Sequence, residues 1–194
     1  MAKMNTETAI DPSIELTDFF NKDAKWMELA SSSINFSAPP FIGCMISDKG
    51  GKTVTIFELF KGALEFFIKK DIKDIKKRNN FDIELIPMFV CALEHFSDQI
   101  CIENLAGIKL KGTNIKMHSI FCFSHFTITL FLNPFIRIKP YENVICDYFS
   151  DLFEKYEEEF ENILKLSSNE FVSQIELKGR EWLRELNELF LNSA

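Results

Sequence analysis

From Leu105 to Leu132 the sequence alternates with a period of two, while on either side its apolar residues recur every three to four positions. This change of rhythm constrains the fold most. Successive strand residues point to opposite faces, whereas a helix returns to the same face every 3.6 residues. Ile108 and Leu110 alternate with Lys109 and Lys111, and Gly112-Thr113-Asn114 forms a turn. Ile115, Met117 and Ser119 alternate with Lys116 and His118, and this strand continues through Phe121 to Phe123. Ser124-His125 turns the chain again, and Phe126 to Leu132 is rich in β-branched and aromatic residues. Three consecutive strands with short turns form an antiparallel meander.

Two more strands come before it. Phe41 to Ser47 is an apolar run, Asp48-Lys49-Gly50-Gly51 is a turn, and Lys52 to Phe60 carries Val54, Ile56 and Leu59. This reads as a hairpin. The run Gly50-Gly51-Lys52-Thr53 ends like a phosphate-binding loop. That motif requires a glycine where this chain has Ile46, so the motif fails. Ala63 to Arg78 has Leu64, Phe67, Ile68, Ile72 and Ile75 at helical spacing, and its first half is either helix or an extension of the second strand. Asp82 to Gln99 is helical, with Leu85, Phe89, Ala92, Leu93 and Phe96 on one side and Pro87 near its start.

Beyond the meander, Lys139-Pro140 opens a long helix to about Lys165, and a final helix spans Glu170 to Leu191. Asp11-Pro12 starts an N-terminal helix that reaches Leu29. Residues 1–39 are then an N-terminal helix and linker, and residues 40–194 are the main domain with a C-terminal helical extension. The predicted fold is α+β: a five-stranded antiparallel sheet in the order β-β-α-β-β-β-α, packed with helices, plus terminal helices.

Composition narrows the function. The net charge is −7, which repels nucleic-acid phosphates and anionic surfaces wherever no local patch reverses it. The patch Lys69, Lys70, Lys73, Lys76, Lys77 and Arg78 is diluted by Asp71 and Asp74 and has no interleaved aromatic residues for base stacking. It reads as a solvated helix end, and no nucleic-acid partner is expected. There are 21 Phe residues, read as codon bias filling a core, with a functional Phe-rich surface as the alternative. Cys44, Cys91, Cys101, Cys122 and Cys146 are widely spaced among apolar neighbours, with no CxxC. They read as small buried hydrophobes kept reduced in a cytosol. Met1 to Ile10 has no apolar core for a signal peptide. The stretch Ile120 to Ile136 is too short and too polar to span a bilayer as a helix.

No constellation for chemistry emerges. His95, His118 and His125 lack metal-ligand spacing. A Cys122–His125 nucleophile pair is weighed against a strand-buried cysteine, whose thiol would be unreactive. Neither a GxSxG elbow nor a GxGxxG loop occurs. The chain is read as a cytoplasmic non-enzyme with no catalytic residue, metal or cofactor. Trp182, Leu186 and Phe190 on the final helix either pack on the core or leave an apolar strip for a protein partner.

Two passages carry a resemblance: GCMISDKGGKTVTIFELF at Gly43 to Phe60, and DIELIPMFVCALEHFSDQ at Asp82 to Gln99, followed by LAGIKLKGTNIKM. Over about residues 40 to 165 the pattern resembles the longin/roadblock (profilin-like) superfamily, particularly its archaeal roadblock-like members. The resemblance implies a non-catalytic platform that binds small GTPases, trafficking partners or a second copy of itself through sheet edges and helix faces. The family supplies no motif that assigns a contact to a single residue. The alternative is a small-ligand sensor of PAS or GAF type, which needs a lined pocket of several hundred cubic ångströms. A third class is a peripheral membrane protein using residues 12–29. Asp11, Glu15, Asp18, Asp23 and Glu28 on that segment disfavour anionic lipid.

Overall fold

The computed structural model describes residues 38–69, 82–165 and 169–193. The chain divides into two units, Met1–Phe36 and Ser37–Ala194, and the described residues all belong to the second. The expected helix of residues 12–29 lies outside the described residues, as does the Lys70–Arg78 part of the basic run.

The hairpin forms as its turn chemistry requires. β1 (Phe41–Asp48) and β2 (Thr53–Glu58) pair antiparallel. The Asp48 carboxylate accepts the backbone N–H groups of Gly50 and Lys52 at 2.9 and 2.8 Å. Gly51 then takes φ 82°, a conformation that a side chain would resist. The Gly-Gly-Lys-Thr run is therefore a β-turn closed by its own aspartate.

β3 (Gly107–Lys111), β4 (Lys116–Ile120) and β5 (Phe126–Leu132) form the meander. β5 pairs antiparallel with β1, giving the sheet order β2-β1-β5-β4-β3. The neighbouring interior strands β1 and β5 are buried on both faces, which explains why FIGCMIS and FTITLFL read as nearly continuous apolar or β-branched runs. The edge strand β3 is half exposed and keeps its lysines.

Helices cover both faces of the sheet. Gly43 and Cys44 are neighbours and so point to opposite sides. Over Gly43 lies α1 (Ala63–Lys69), with Leu64 so close that a Cβ on Gly43 would stand 3.0 Å from it. The ambiguity at 63–69 resolves as helix. The Glu58 carboxylate at the end of β2 accepts the N–H groups of Gly62 and Leu64, satisfying donors that a helix start leaves free. The residues after Lys69 lie outside the described set. α2 (Leu85–Gln99) sits beside the hairpin turn.

On the Cys44 side lie α3 (Glu142–Lys155) and α5 (Asn169–Ser193). Phe57, opposite Cys44 in the ladder, meets Phe149 of α3 and Trp182 of α5 at ring-centroid distances of 6.3 and 6.2 Å. Gly179 allows α5 this close: a Cβ there would stand 2.6 Å from the Phe57 ring. Asn187 pins the far end of α5. Its side-chain oxygen accepts the Phe41 N–H at 3.0 Å, and its amide donates to the carbonyls of Phe41 and Leu183.

The single long helix expected over 140–165 is instead three pieces. A 3₁₀ turn, Lys139–Tyr141, contains Pro140; α3 follows and ends at Tyr156; α4 spans Glu157–Lys165. The break has a packing cause. It turns Phe160 onto Phe126 and Phe153, with ring centroids 5.1 and 5.0 Å away, and sets Tyr156 against Phe171. Glu157, Glu158 and Glu159 then fall in the first turn of α4, where carboxylates favour a helix N-terminus. The result is the predicted α+β sheet-and-helix arrangement. Helical segments follow β2 and β5, on either side of the β3–β4–β5 meander.

Candidate functional site

Helix α2 presents the most unusual surface. Its inward side is fixed by Pro87, Val90 and Ser97, which are buried. A Cβ on Gly51 would stand 3.0 Å from the Met88 Cα, so the glycine at the hairpin turn also makes room for this helix. Cys91 donates its thiol hydrogen to the Lys49 carbonyl at 3.1 Å. Lys49 in turn reaches across to Glu94 at 2.8 Å and lies 5.4 Å over the Phe121 ring. At the far end Cys101 and Asn104 adopt left-handed backbone, which turns the chain back toward β3.

The outward side of α2 is apolar. Leu85, Met88, Phe89 and Phe96, with Ile100 and Ile102 just beyond the helix, are each 45 to 59% exposed. Ala92 between them is also exposed. Leu85, Phe89, Ala92, Phe96 and Ile100 follow one another at intervals of four, three, four and four, so they form one row along the helix. Sequence periodicity had identified most of this row. It could not indicate that the row faces outward.

The final-helix residues behave differently. Trp182 is 8% exposed and Leu186 is 2% exposed, both committed to the core. Trp182 stacks on Tyr148 at 4.3 Å and meets Phe149 at 5.3 Å. Phe190 is half-buried between Phe41 and Tyr141. Of the two readings for these three residues, the structure places Trp182 and Leu186 in the core-packing one, because α5 lies on β1 and β2 with that side down.

The thiols also differ from expectation. Only Cys44 is buried; Cys91 and Cys146 are half-buried, and Cys101 and Cys122 are exposed. Cys122 lies in the β4–β5 connection and not inside a strand, because β4 ends at Ile120. All five are free thiols. Burial, and then the Glu94 and Asp48 carboxylates, raise the Cys91 thiol, so its 3.8 Å approach to the His95 ring does not activate it. Burial and neighbouring Cys122 push Cys146 up to about 11. Burial and then Lys109 hold His118 down to about 4, so it is neutral at pH 7. Among the described residues no group of three or more His, Cys, Asp and Glu side chains is placed to hold a metal ion. No helix among them is long and apolar enough to cross a membrane. A groove of about 300 Å³ runs between α3 and α5 over Tyr148 and Trp182, rimmed by Asp151, Lys155, Lys178 and Glu181.

No protein-family model matches the chain, and no curated protein matches it. Among solved structures the chain is similar to Myxococcus xanthus MglB, at 11% identity and a TM-score of 0.42, over 73% of this chain and 98% of that one.

Proposed function

We propose that this protein is a non-catalytic interaction scaffold of the cytoplasm, linked to small GTPases or trafficking partners, and that it docks its partner on the outward row of α2. One observation carries the reading: Leu85, Met88, Phe89, Phe96 and Ile100 stand open to solvent on a helix whose other side is anchored. A contiguous apolar row on a folded protein is a surface that burial against a partner stabilises. Phe89 and Phe96 are its aromatic anchors. The five free thiols are consistent with a reducing compartment. The link to GTPases rests on the longin/roadblock-like element order, an analogy of fold.

The test is capture of purified small GTPases loaded with GDP or a GTP analogue, using the intact chain and a Phe89→Ser/Phe96→Ser variant. The expected result is capture that depends on the nucleotide and is lost in the variant. Capture of none of them in either state sinks the GTPase link. The regular spacing of the row also suits a second copy laid alongside. Sedimentation equilibrium separates the two partners: a dimer that the double substitution disperses assigns the row to self-association.

A further inference from the structure

Between Asn104 and Tyr141 the sequence contains no Asp or Glu, and all 29 acidic residues lie outside that stretch. The stretch itself carries Lys109, Lys111, Lys116, Arg137 and Lys139. In a chain of net charge −7 this is a strong local inversion.

The fold gathers these cations at one corner. Lys111 stands opposite Lys116 across the β3–β4 ladder, and Lys109 stands opposite His118, so the three lysines share one face of the sheet edge. Lys116 donates to the Ile136 carbonyl, which ties the loop after β5 to the same corner. The ammonium of Lys116 is pushed down chiefly by burial, with smaller contributions from neighbouring Lys109 and Lys111. Glu142 is the nearby acid, and Lys109 already engages it at 2.8 Å.

The loop itself is built to project one side chain. The Asn133 carboxamide oxygen accepts the Phe135 N–H at 3.0 Å, the Ile136 N–H returns to the Asn133 carbonyl, and Ile138 is buried beneath. Phe135 is left 79% exposed, with the Lys111 ammonium 5.5 Å over its ring. Arg137 and Lys139, both exposed, follow it along the loop.

We propose that this corner is a docking surface for an anionic lipid membrane. Phe135 enters the headgroup layer, and Lys111, Arg137 and Lys139 lie against lipid phosphates and carboxylates. The shape favours a membrane over an acidic protein. A protein hot spot seats its aromatic anchor in a packed pocket, whereas this ring stands on a loop tip with cations about it. A fluid interface needs no matching pocket. It rewards one inserted aromatic residue and several basic side chains. The surface is separate from the α2 row, so a scaffold could hold a partner there while this corner meets the bilayer.

The experiment is sedimentation of the full chain with vesicles of phosphatidylcholine alone and of phosphatidylcholine mixed with phosphatidylserine. Binding is expected only to the mixed vesicles, and raising salt from about 0.1 M to about 0.5 M should release it. Each cation neutralised should weaken binding roughly fivefold. Lys111→Gln/Arg137→Gln together should therefore cost more than tenfold, and Phe135→Ser about tenfold. All three side chains are exposed, so the variants should melt with the parent, and this is checked by circular dichroism. Equal binding to neutral vesicles overturns the proposal, as does no binding to either kind. So does binding that the substitutions leave unchanged. Capture by a soluble polyglutamate peptide or an oligonucleotide, with no vesicle binding at the same salt, reassigns the corner to that partner and likewise overturns it.

Discussion

Helices α2 and α5 carry the same kind of signal and meet opposite fates. In both, apolar residues recur every three or four positions. On α5 that side lies on the sheet: Trp182 and Leu186 are buried, Gly179 removes a side chain so that the backbone can approach Phe57, and Asn187 ties the helix to the first residue of β1. On α2 the buried side is narrow and the apolar row faces water. Amphipathic spacing therefore establishes that a helix has an apolar face. It leaves open whether the cover is this domain or another molecule.

The contrast can be broken most directly at Trp182. Trp182→Ala removes a ring lodged among Tyr148, Phe149 and Phe57, and should cost about 3–5 kcal/mol, read as a lowered urea midpoint. If it costs no more than truncating Phe96, the two helices do not differ as argued.

The next largest effect is acid sensitivity on the covered face. His118 stands opposite Leu130, which stands opposite Cys44, so it shares the side of the sheet on which α3 and α5 lie. Its folded pKa of about 4 lies below the ordinary value of 6.5. The unfolded chain therefore binds the proton first as pH falls. The stability held by neutral His118 is complete above pH ~6.5 and is lost as pH falls through ~4, by roughly 3 kcal/mol. His118→Leu should flatten that part of the stability profile, as measured by denaturant titration across pH.

Gly179→Ala comes third. Alanine favours helix over glycine by about 1 kcal/mol, but its methyl would stand 2.6 Å from the ring of buried Phe57. A net loss of about 2 kcal/mol is expected; a gain in melting temperature would show that α5 can lift from the sheet. The smallest effect belongs to the open row. Phe89→Ser/Phe96→Ser should leave the stability of the isolated chain within about 0.5 kcal/mol while abolishing partner capture. A large loss of stability there would mean the row packs within its own chain.

Much of the fold was legible because its cues are local. Lys109 and Lys111 alternating with Ile108 and Leu110 announce a strand. Asp48 two residues before Gly50, and Gly51 after it, announce the hairpin turn. Pro140 marks the start of the helical segment that follows the meander. The misread parts depend on distant neighbours. The break at Tyr156 lets Phe160 reach Phe126, 34 residues earlier in the chain, a contact that the 140–165 segment cannot specify by itself. The exposure of Cys101 and Cys122 depends on where α2 and β4 end. Of the candidate site, the α2 row is visible as a pattern, whereas the spacing of Trp182 and Leu186 fits core packing and a partner strip equally, and their burial depends on the sheet beneath them. Gly179, a lone glycine in a helical run, was a signal that some backbone must come close there.

The amino-acid order alone determined the periods, the turns, the succession of strands and helices, and the acid-free stretch with its five cations, since each depends on residues a few positions apart. Only the tertiary structure decided which apolar rows are covered and where the cations meet. Burial is a contact between segments far apart in the chain, as in the bond between Asn187 and Phe41 across 146 positions. No local pattern specifies which surface will arrive to exclude the water.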